Sequence, residues 1–279
     1  MYTVIGKQLI GKATYQLDIK APQIAKKHEP GHFVIVRVDE QGERIPLTIT
    51  KSDLQIGTIS LVFQIVGVTT DKLAHIPIGE DILDVLGPLG KPTDITGDGT
   101  ILCAGGGVGI APLFPIVKAF HERGNRIISV IAARSKDLLI LEDEIASFSD
   151  KMVIMTDDGS YGKQGVITYG MEEVIQQEPI TKSVVIGPAI MMKYASLLTK
   201  KYNIPTIASL NTIMVDGTGM CGSCRVSING KTKFVCADGP EFDAHAVDFD
   251  EMITRLGSYK DLEANAYQKY LQTRGKEEL

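Results

Sequence analysis

The sequence predicts a small antiparallel β-barrel joined to a doubly wound parallel α/β sheet, followed by a short cysteine-bearing segment. Up to about Pro88 the chain runs in short alternating or apolar stretches broken by Gly, Pro and Asp turns, which is the spacing of a barrel or sandwich. Beyond the turn-rich residues 87–99 the period changes, and apolar strands alternate with helical stretches through Asn211. Of the four cysteines, Cys221, Cys224 and Cys236 fall within sixteen residues.

In the barrel, strands are expected over residues 15–19, 33–38, 45–50 and 58–66, with one short helix over 71–75 whose free N–H groups Thr70 is placed to cap. In the second part, buried strands are expected over 100–104, 127–132, 152–156, 184–186 and 206–210. Helices fall between and after them, over 111–123, 142–148, 168–177 and 189–201. The ligand crevice of such a sheet lies beyond the carboxyl ends of its strands. From Thr212 a Gly/Cys loop leads to strands over 225–228 and 231–235 about Asn229-Gly230, the strongest short hairpin signal. Residues 248–279 are charged and read as mostly helical. The domains so drawn are 1–96, 97–211, 212–247 and a tail over 248–279.

Composition narrows the function classes. The chain holds 29 Lys and Arg against 34 Asp and Glu, a net charge of −5 with no basic block, so neither nucleic acid nor an anionic membrane is an expected partner. The longest uncharged stretch, residues 100–117, carries four Gly and two Pro, which a lone membrane span would not choose. Residues 1–12 hold Lys7 and Lys12 in an alternating pattern without the apolar core and cleavage site of a signal peptide, so a cytoplasmic protein is expected. Glycine, 28 of 279 residues, is clustered, which suggests backbone pressed against ligands.

The cysteine segment is the most specific signal. Asp216, Cys221, Cys224 and Cys236 form D-x4-C-x2-C-x11-C, the plant-type ferredoxin spacing with a carboxylate where the first thiolate stands. A 2Fe-2S cluster needs ligands from a loop that can wrap it, and Gly217, Gly219 and Gly222 let backbone amides approach the sulfurs. Structural zinc is the alternative, although the second C-x2-C knuckle it usually takes is missing. Cys103, in an apolar strand, reads as a small buried hydrophobe.

Two further motifs bear on nucleotides. The run GGGVGIAP over residues 105–112 follows a strand and opens a helix, so its amides and the positive helix end can meet a pyrophosphate. It departs from the dinucleotide fingerprint, because Pro112 stands where the last glycine would be; a proline suits the first helical turn. In the barrel, Arg44, Pro46, Leu47 and Thr48 form R-x-P-L-T, in which Arg offers a donor fork, Thr a hydroxyl and Pro-Leu a rigid apolar wall for a flat ring. The five histidines, His28, His32, His75, His121 and His245, are scattered without triad partners, so a hydrolase is not expected. An apparent calcium loop at Asp94, Thr96 and Asp98 lacks the closing Glu and reads as a polar turn.

Taken in order, R-x-P-L-T, GGGVGIAP and the D/C-x4-C-x2-C segment resemble the ferredoxin-reductase-like electron-transfer subunits of the dihydroorotate and sulfide dehydrogenase family. Residues 156–160, 186–188 and 234–243 are similar as well, so the likeness spans nearly the whole chain. In the dihydroorotate branch the first cluster ligand is Cys. Asp216 instead is similar to the small subunits of the NADH-dependent reduced ferredoxin:NADP+ oxidoreductase branch.

The resemblance implies FAD on Arg44, Pro46, Leu47 and Thr48, with Phe63, Gln64, Gly67, Thr69 and Thr70 along the flavin and its pyrophosphate. It implies NAD(H) on Gly107, Val108, Gly109, Ile110, Ala111 and Pro112, helped by Gly187 and Pro188, with Arg134 a candidate for the adenosine end. It implies a 2Fe-2S cluster on Asp216, Cys221, Cys224 and Cys236. It further implies an electron-bifurcating heterodimer with a larger flavin and 4Fe-4S subunit that binds NADPH, ferredoxin being reached through the complex. A self-sufficient flavin reductase and a non-catalytic, zinc-stabilised nucleotide-binding module are the rival readings.

Overall fold

A computed structural model describes residues 2–277; Met1, at the start of the expected barrel, and Glu278 and Leu279, at the end of the expected tail, lie outside the described residues. The first part comprises β1 (Tyr2–Gly11), β2 (Thr14–Lys20), α1 (Pro22–Ala25), β3 (Phe33–Arg37), β4 (Arg44–Asp53), β5 (Thr58–Gln64), α2 (Val68–His75), β6 (Asp81–Ile82) and β7 (Asp84–Leu89). Its strands make one antiparallel sheet in the order β6-β1-β2-β5-β4-β3-β7. The two edge strands are consecutive in the chain with only Leu83 between them, and Leu83 N–H donates to Val38 O at 3.1 Å. The sheet therefore curls until its edges lie side by side, a nearly closed barrel. Alternation drives the curl, because Leu17 and Ile19 on β2, Val34 and Val36 on β3 and Ile59 and Leu61 on β5 all point inward and are buried.

The helix expected over 71–75 starts earlier, at Val68. Gly67 is its N-cap, and Thr70 lies inside the first turn, where its Oγ1 accepts from the Val66 and Gly67 amides at 3.0 and 3.1 Å. Thr70 thus reaches back to the cap residue instead of occupying it, which is one half of a capping box.

The second part comprises β8 (Thr100–Gly106), α3 (Ile110–Glu122), β9 (Arg126–Ala133), α4 (Glu142–Ser147), β10 (Lys151–Thr156), β11 (Lys163–Gln164), α5 (Ile167–Gln177), β12 (Lys182–Ile186), α6 (Ala189–Lys201) and β13 (Thr206–Ser209). The strands pair in parallel in the order β11-β10-β9-β8-β12-β13. Successive residues serve opposite faces, so Ile101 and Cys103 pack with α3 while Leu102 and Ala104 pack with α5 and α6. Full burial of Ile101 and Leu102 contributes roughly 1.5–3 kcal/mol each.

After β13 come β14 (Arg225–Ile228), β15 (Lys231–Phe234), α7 (Val235–Asp238), β16 (Glu241–Asp243), α8 (Phe249–Leu256) and α9 (Lys260–Glu277). Asn229 and Gly230 take positive φ, 49° and 71°, as the hairpin turn requires. β16 returns antiparallel to β13 and covers the sheet edge. The tail divides into α8, capped by Asp248 accepting from the Glu251 amide at 2.9 Å, and α9, which reaches back to α2. Among the described residues no helix is long and apolar enough to cross a membrane.

Candidate functional site

The sheet order reverses between β8 and β12, and the candidate nucleotide residues gather there. β8 ends in Gly105-Gly106, residues 107–109 form a single 3₁₀ turn, and α3 follows with Pro112 in its first turn. β12 ends at Ile186, so Gly187 and Pro188 lead into α6. A Cβ on Gly109 would lie 2.7 Å from both Gly187 Cα and Ile186 O, so the two loops touch through backbone that only a glycine leaves room for. Ile110 and Ala111 are buried in the core beneath, whereas Val108 is exposed on the turn. Arg134 stands exposed one residue beyond β9, at the same carboxyl-end rim, and its carbonyl accepts from the Asp158 amide at 3.2 Å.

The candidate flavin residues line a gap in the barrel. Residues 44–48 of β4 pair with β3, as in Val34↔Leu47 and Ile35↔Pro46, but the ladder to β5 starts only at Ile49↔Leu61. Pro46 therefore interrupts no bond to β5, and Arg44 is exposed while Pro46, Leu47 and Thr48 are half-buried. The end of β5 and the start of α2 lie along the chain beyond that gap. There Phe63, Thr69 and Thr70 are buried, Gln64 is half-buried, and a Cβ on Gly67 would meet nothing within 4 Å. α3 packs on β4, the 107–109 turn lies against β5, and Val62 shares a core with Ile110 and Phe114. Barrel gap and glycine turn are thus brought to one side of the molecule.

The four cluster candidates fall into two pairs. Asp216 accepts from the Thr218 and Cys221 amides, each at 2.8 Å, and the Thr218 amide foremost holds its carboxyl below the usual carboxylate range. Cys221 is exposed, 3.4 Å from Ser223 Oγ, and that hydroxyl foremost lowers its thiol. Cys224 and Cys236 are buried with their sulfurs 3.2 Å apart, and burial pushes the Cys236 thiol up to about 12. The Gly219 amide stabilises the charged forms of both Asp216 and Cys236 and so links the pairs. Among the described residues no three His, Cys, Asp or Glu converge closely enough to hold one metal ion. Two donors at the surface and two beneath them fit a two-iron group better than a single tetrahedral ion. A Cβ on Gly217 would lie 2.6 Å from Leu89 Cδ1 and 2.8 Å from Ile35 Cγ1, so this loop rests on β7 and β3 of the barrel.

Cys103 stays apart from these four, fully buried in β8 with its thiol pushed up to about 12 by burial. The histidines are less scattered than the sequence implies, since His28 Nδ1 meets Ser52 Oγ at 2.9 Å and the His32 ring lies 6.4 Å away. No triad results: among the described residues no carboxylate bonds His28 on the ring side away from Ser52, and burial foremost lowers its pKa to about 4, so it is a poor base at neutral pH. Spacing could not reveal the contact of Gly217 with Ile35 and Leu89, because it joins segments far apart in the chain.

Residues 211–248 match the model of the iron-sulfur cluster binding domain of dihydroorotate dehydrogenase B. The dihydroorotate dehydrogenase B (NAD(+)) electron transfer subunit homolog of Thermotoga maritima is 44% identical over 275 residues, 99% of this chain and 97% of that one. The corresponding electron transfer subunit of Geobacillus thermodenitrificans is 34% identical over 256 residues, 88% of this chain and 96% of its own. The chain belongs to the dihydroorotate dehydrogenase B electron transfer subunit family. One solved structure, from work on flavin-based electron bifurcation via the NADH-dependent reduced ferredoxin-NADP oxidoreductase, superposes with a TM-score of 0.92. It is 43% identical, with 97% of this chain and 98% of that one covered. The barrel and sheet are those of the ferredoxin-reductase-like fold, carrying a C-terminal iron–sulfur segment. As a member of this family the chain is an electron-transfer subunit of a flavin and iron–sulfur oxidoreductase, one part of a heteromeric assembly.

Proposed function

We propose that the chain is the NAD(H)-linked subunit of an electron-bifurcating NADH-dependent reduced ferredoxin:NADP+ oxidoreductase. The observation that carries this reading is the near-full-length likeness to the bifurcating enzyme's structure, and Asp216 in the first ligand position supports it. When bound, FAD exchanges a hydride with NAD(H), and a 2Fe-2S centre takes electrons singly, so the difficult chemistry belongs to the cofactors. Binding and orientation fall to the chain. Pro46 and Leu47 offer a flat apolar wall, Arg44 and Thr48 offer donors, and the first turn of α2 offers amides and the positive end of a helix to a diphosphate. The 107–109 turn, packed on Gly187, presents backbone donors to the nicotinamide nucleotide at the switch point, with Arg134 on the rim for its adenosine end. Asp216, Cys221, Cys224 and Cys236 hold the two irons. Because Cys221 is exposed, that centre lies near the surface, where electrons can pass to a partner. That partner is read as a larger flavin and 4Fe-4S subunit that binds NADPH and serves ferredoxin.

The names of relatives favour a second reading, electron transfer for a dihydroorotate dehydrogenase. Anaerobic purification of the assembly, with a visible spectrum and analysis for iron, acid-labile sulfide, zinc and flavin, tests the cofactor reading. Iron, sulfide and FAD are expected; stoichiometric zinc without flavin overturns it. Assay of the same preparation separates the two activities. NADPH-driven reduction of both NAD+ and ferredoxin supports bifurcation, and dihydroorotate-driven reduction of NAD+ in its place supports the second reading.

A further inference from the structure

Helix α2 is tied down at several points. At its C-terminal end, where a cation is favoured, Lys7 Nζ donates to Ala74 O and Ile76 O at 2.9 and 2.8 Å. Lys72 Nζ reaches Asp39 at 2.6 Å. On the flank, Asp71 is only 3% exposed, and its carboxylate accepts from Tyr267 Oη at 2.8 Å and pairs with the Arg274 guanidinium, both from α9. His75 Nδ1 lies 3.2 Å from the same carboxylate. At the N-terminus, a Cβ on Gly67 would meet none of the described residues within 4 Å.

α9 has only a narrow, half-buried inward stripe. Most of its described side chains are exposed, and those turned inward are Tyr267 and Tyr270, whose rings stack at 6.5 Å and 18°, with Leu271 and Arg274. A polar helix of this kind gains little from lying along a protein, so its specific bonds to Asp71 locate it.

We propose that α9 is a strap, with Asp71, Tyr267 and Arg274 as positioning residues that set how tightly the first turn of α2 holds the FAD diphosphate; this rests on the reading of that turn given above. Asp71 lies one helical turn from Gly67, its amide bonded to Gly67 O at 2.9 Å. A buried carboxylate at that place opposes an incoming diphosphate unless its charge is balanced. The Arg274 guanidinium balances it, and the Tyr267 hydroxyl satisfies the carboxylate as well. The strap fixes the helix and removes a repulsion together. By linkage, an ordered α9 favours FAD as strongly as FAD favours an ordered α9.

The test uses the full chain in its assembly, measuring the FAD dissociation constant after flavin removal, the iron content, and hydrogen exchange of α9 with and without FAD. Arg274→Ala and Tyr267→Phe are expected to weaken FAD binding at least about fivefold, the lower end of typical coupling between sites. Iron content is expected to hold, Arg274→Lys to recover part of the loss, and adding Asp71→Asn to Arg274→Ala to relieve the repulsion. α9 amides are expected to exchange more slowly when FAD is bound, a dependence that a merely structural contact would not produce. Tyr267→Phe keeps the ring pair, so the test survives if Arg274→Ala fails to fold. Unchanged FAD affinity in the α9 variants, or α9 exchange indifferent to FAD, overturns the strap. Thr70→Val separates the two levels: if it weakens FAD and the α9 variants do not, only the strap is wrong, and if it too leaves FAD untouched, the reading of α2 as the diphosphate cradle falls.

Discussion

Asp216 is held by its own loop, because two amides, of Thr218 and Cys221, donate to its carboxylate and favour the charged form. In the ligand position proposed for Asp216, a hard oxygen in place of a fourth thiolate would alter electron donation to iron, one of the levers that set a cluster's potential. Asp216→Ala is therefore expected to lower iron and sulfide content while FAD content stays near that of the parent, read by metal analysis and flavin release on one preparation. Equal loss of both cofactors would mean that the carboxylate is a structural clasp for the loop. Cys103→Ala serves as the contrast. Its thiol is fully buried in β8, so a cost in stability of roughly 1 kcal/mol is expected with no change in iron, measured by denaturant unfolding.

At the scale of elements, the glycine turn and the end of β12 act as one piece because Gly109 and Gly187 meet backbone to backbone. Gly109→Ala places a methyl group where Ile186 O and Gly187 Cα already stand, so the two loops must part. Stopped-flow reduction of the bound flavin by NADH is expected to slow by about 10²-fold, the size of effect a displacement near 1 Å can produce, with FAD still bound. The elements themselves were largely legible in the sequence, since period-2 and period-3.6 patterns separate barrel from sheet and Asn229-Gly230 marks its hairpin. What was not legible depended on partners far along the chain. Pro46 is tolerated in β4 because the β5 ladder starts only at Ile49, the two-residue β6 closes the barrel only by pairing with β1, and Tyr267 meets Asp71 across 196 positions. The start of α2 was misplaced for a local reason: Thr70 has the chemistry of a cap, but Gly67 supplies the extended backbone and Thr70 folds back on it.

Over the whole molecule, two half-buried titratable groups, Glu241 between β16 and Thr93 and His28 within the barrel, pull stability in opposite directions with pH. Glu241 on β16 accepts from Thr93 Oγ1 at 2.6 Å beside Gly31, and burial raises its pKa from an ordinary 4.5 to about 7. Its stabilising contribution is complete below pH 4.5 and is lost as pH rises through about 7. His28 runs the other way: burial foremost, then the charge of His32, lowers it from 6.5 to about 4, so its contribution is present above pH 6.5 and lost as pH falls through about 4. Denaturant titrations between pH 4 and 8 are expected to show Glu241→Gln losing the fall in stability toward neutral pH and His28→Gln losing the fall toward acid; parallel profiles for parent and variants would refute the assignment.

The return of β16 to β13 has a mechanical corollary. The metal-bearing loop leaves the sheet after β13 and re-enters it one strand away, with Leu210 N–H donating to Pro240 O at 2.9 Å across its base. An excursion pinned at both feet and resting on Ile35 and Leu89 cannot swing like a tethered carrier, so the distance an electron crosses from barrel to loop is a constant of the architecture. Glycerol or sucrose, which slow domain reorientation in proportion to solvent viscosity, should leave that internal transfer rate unchanged.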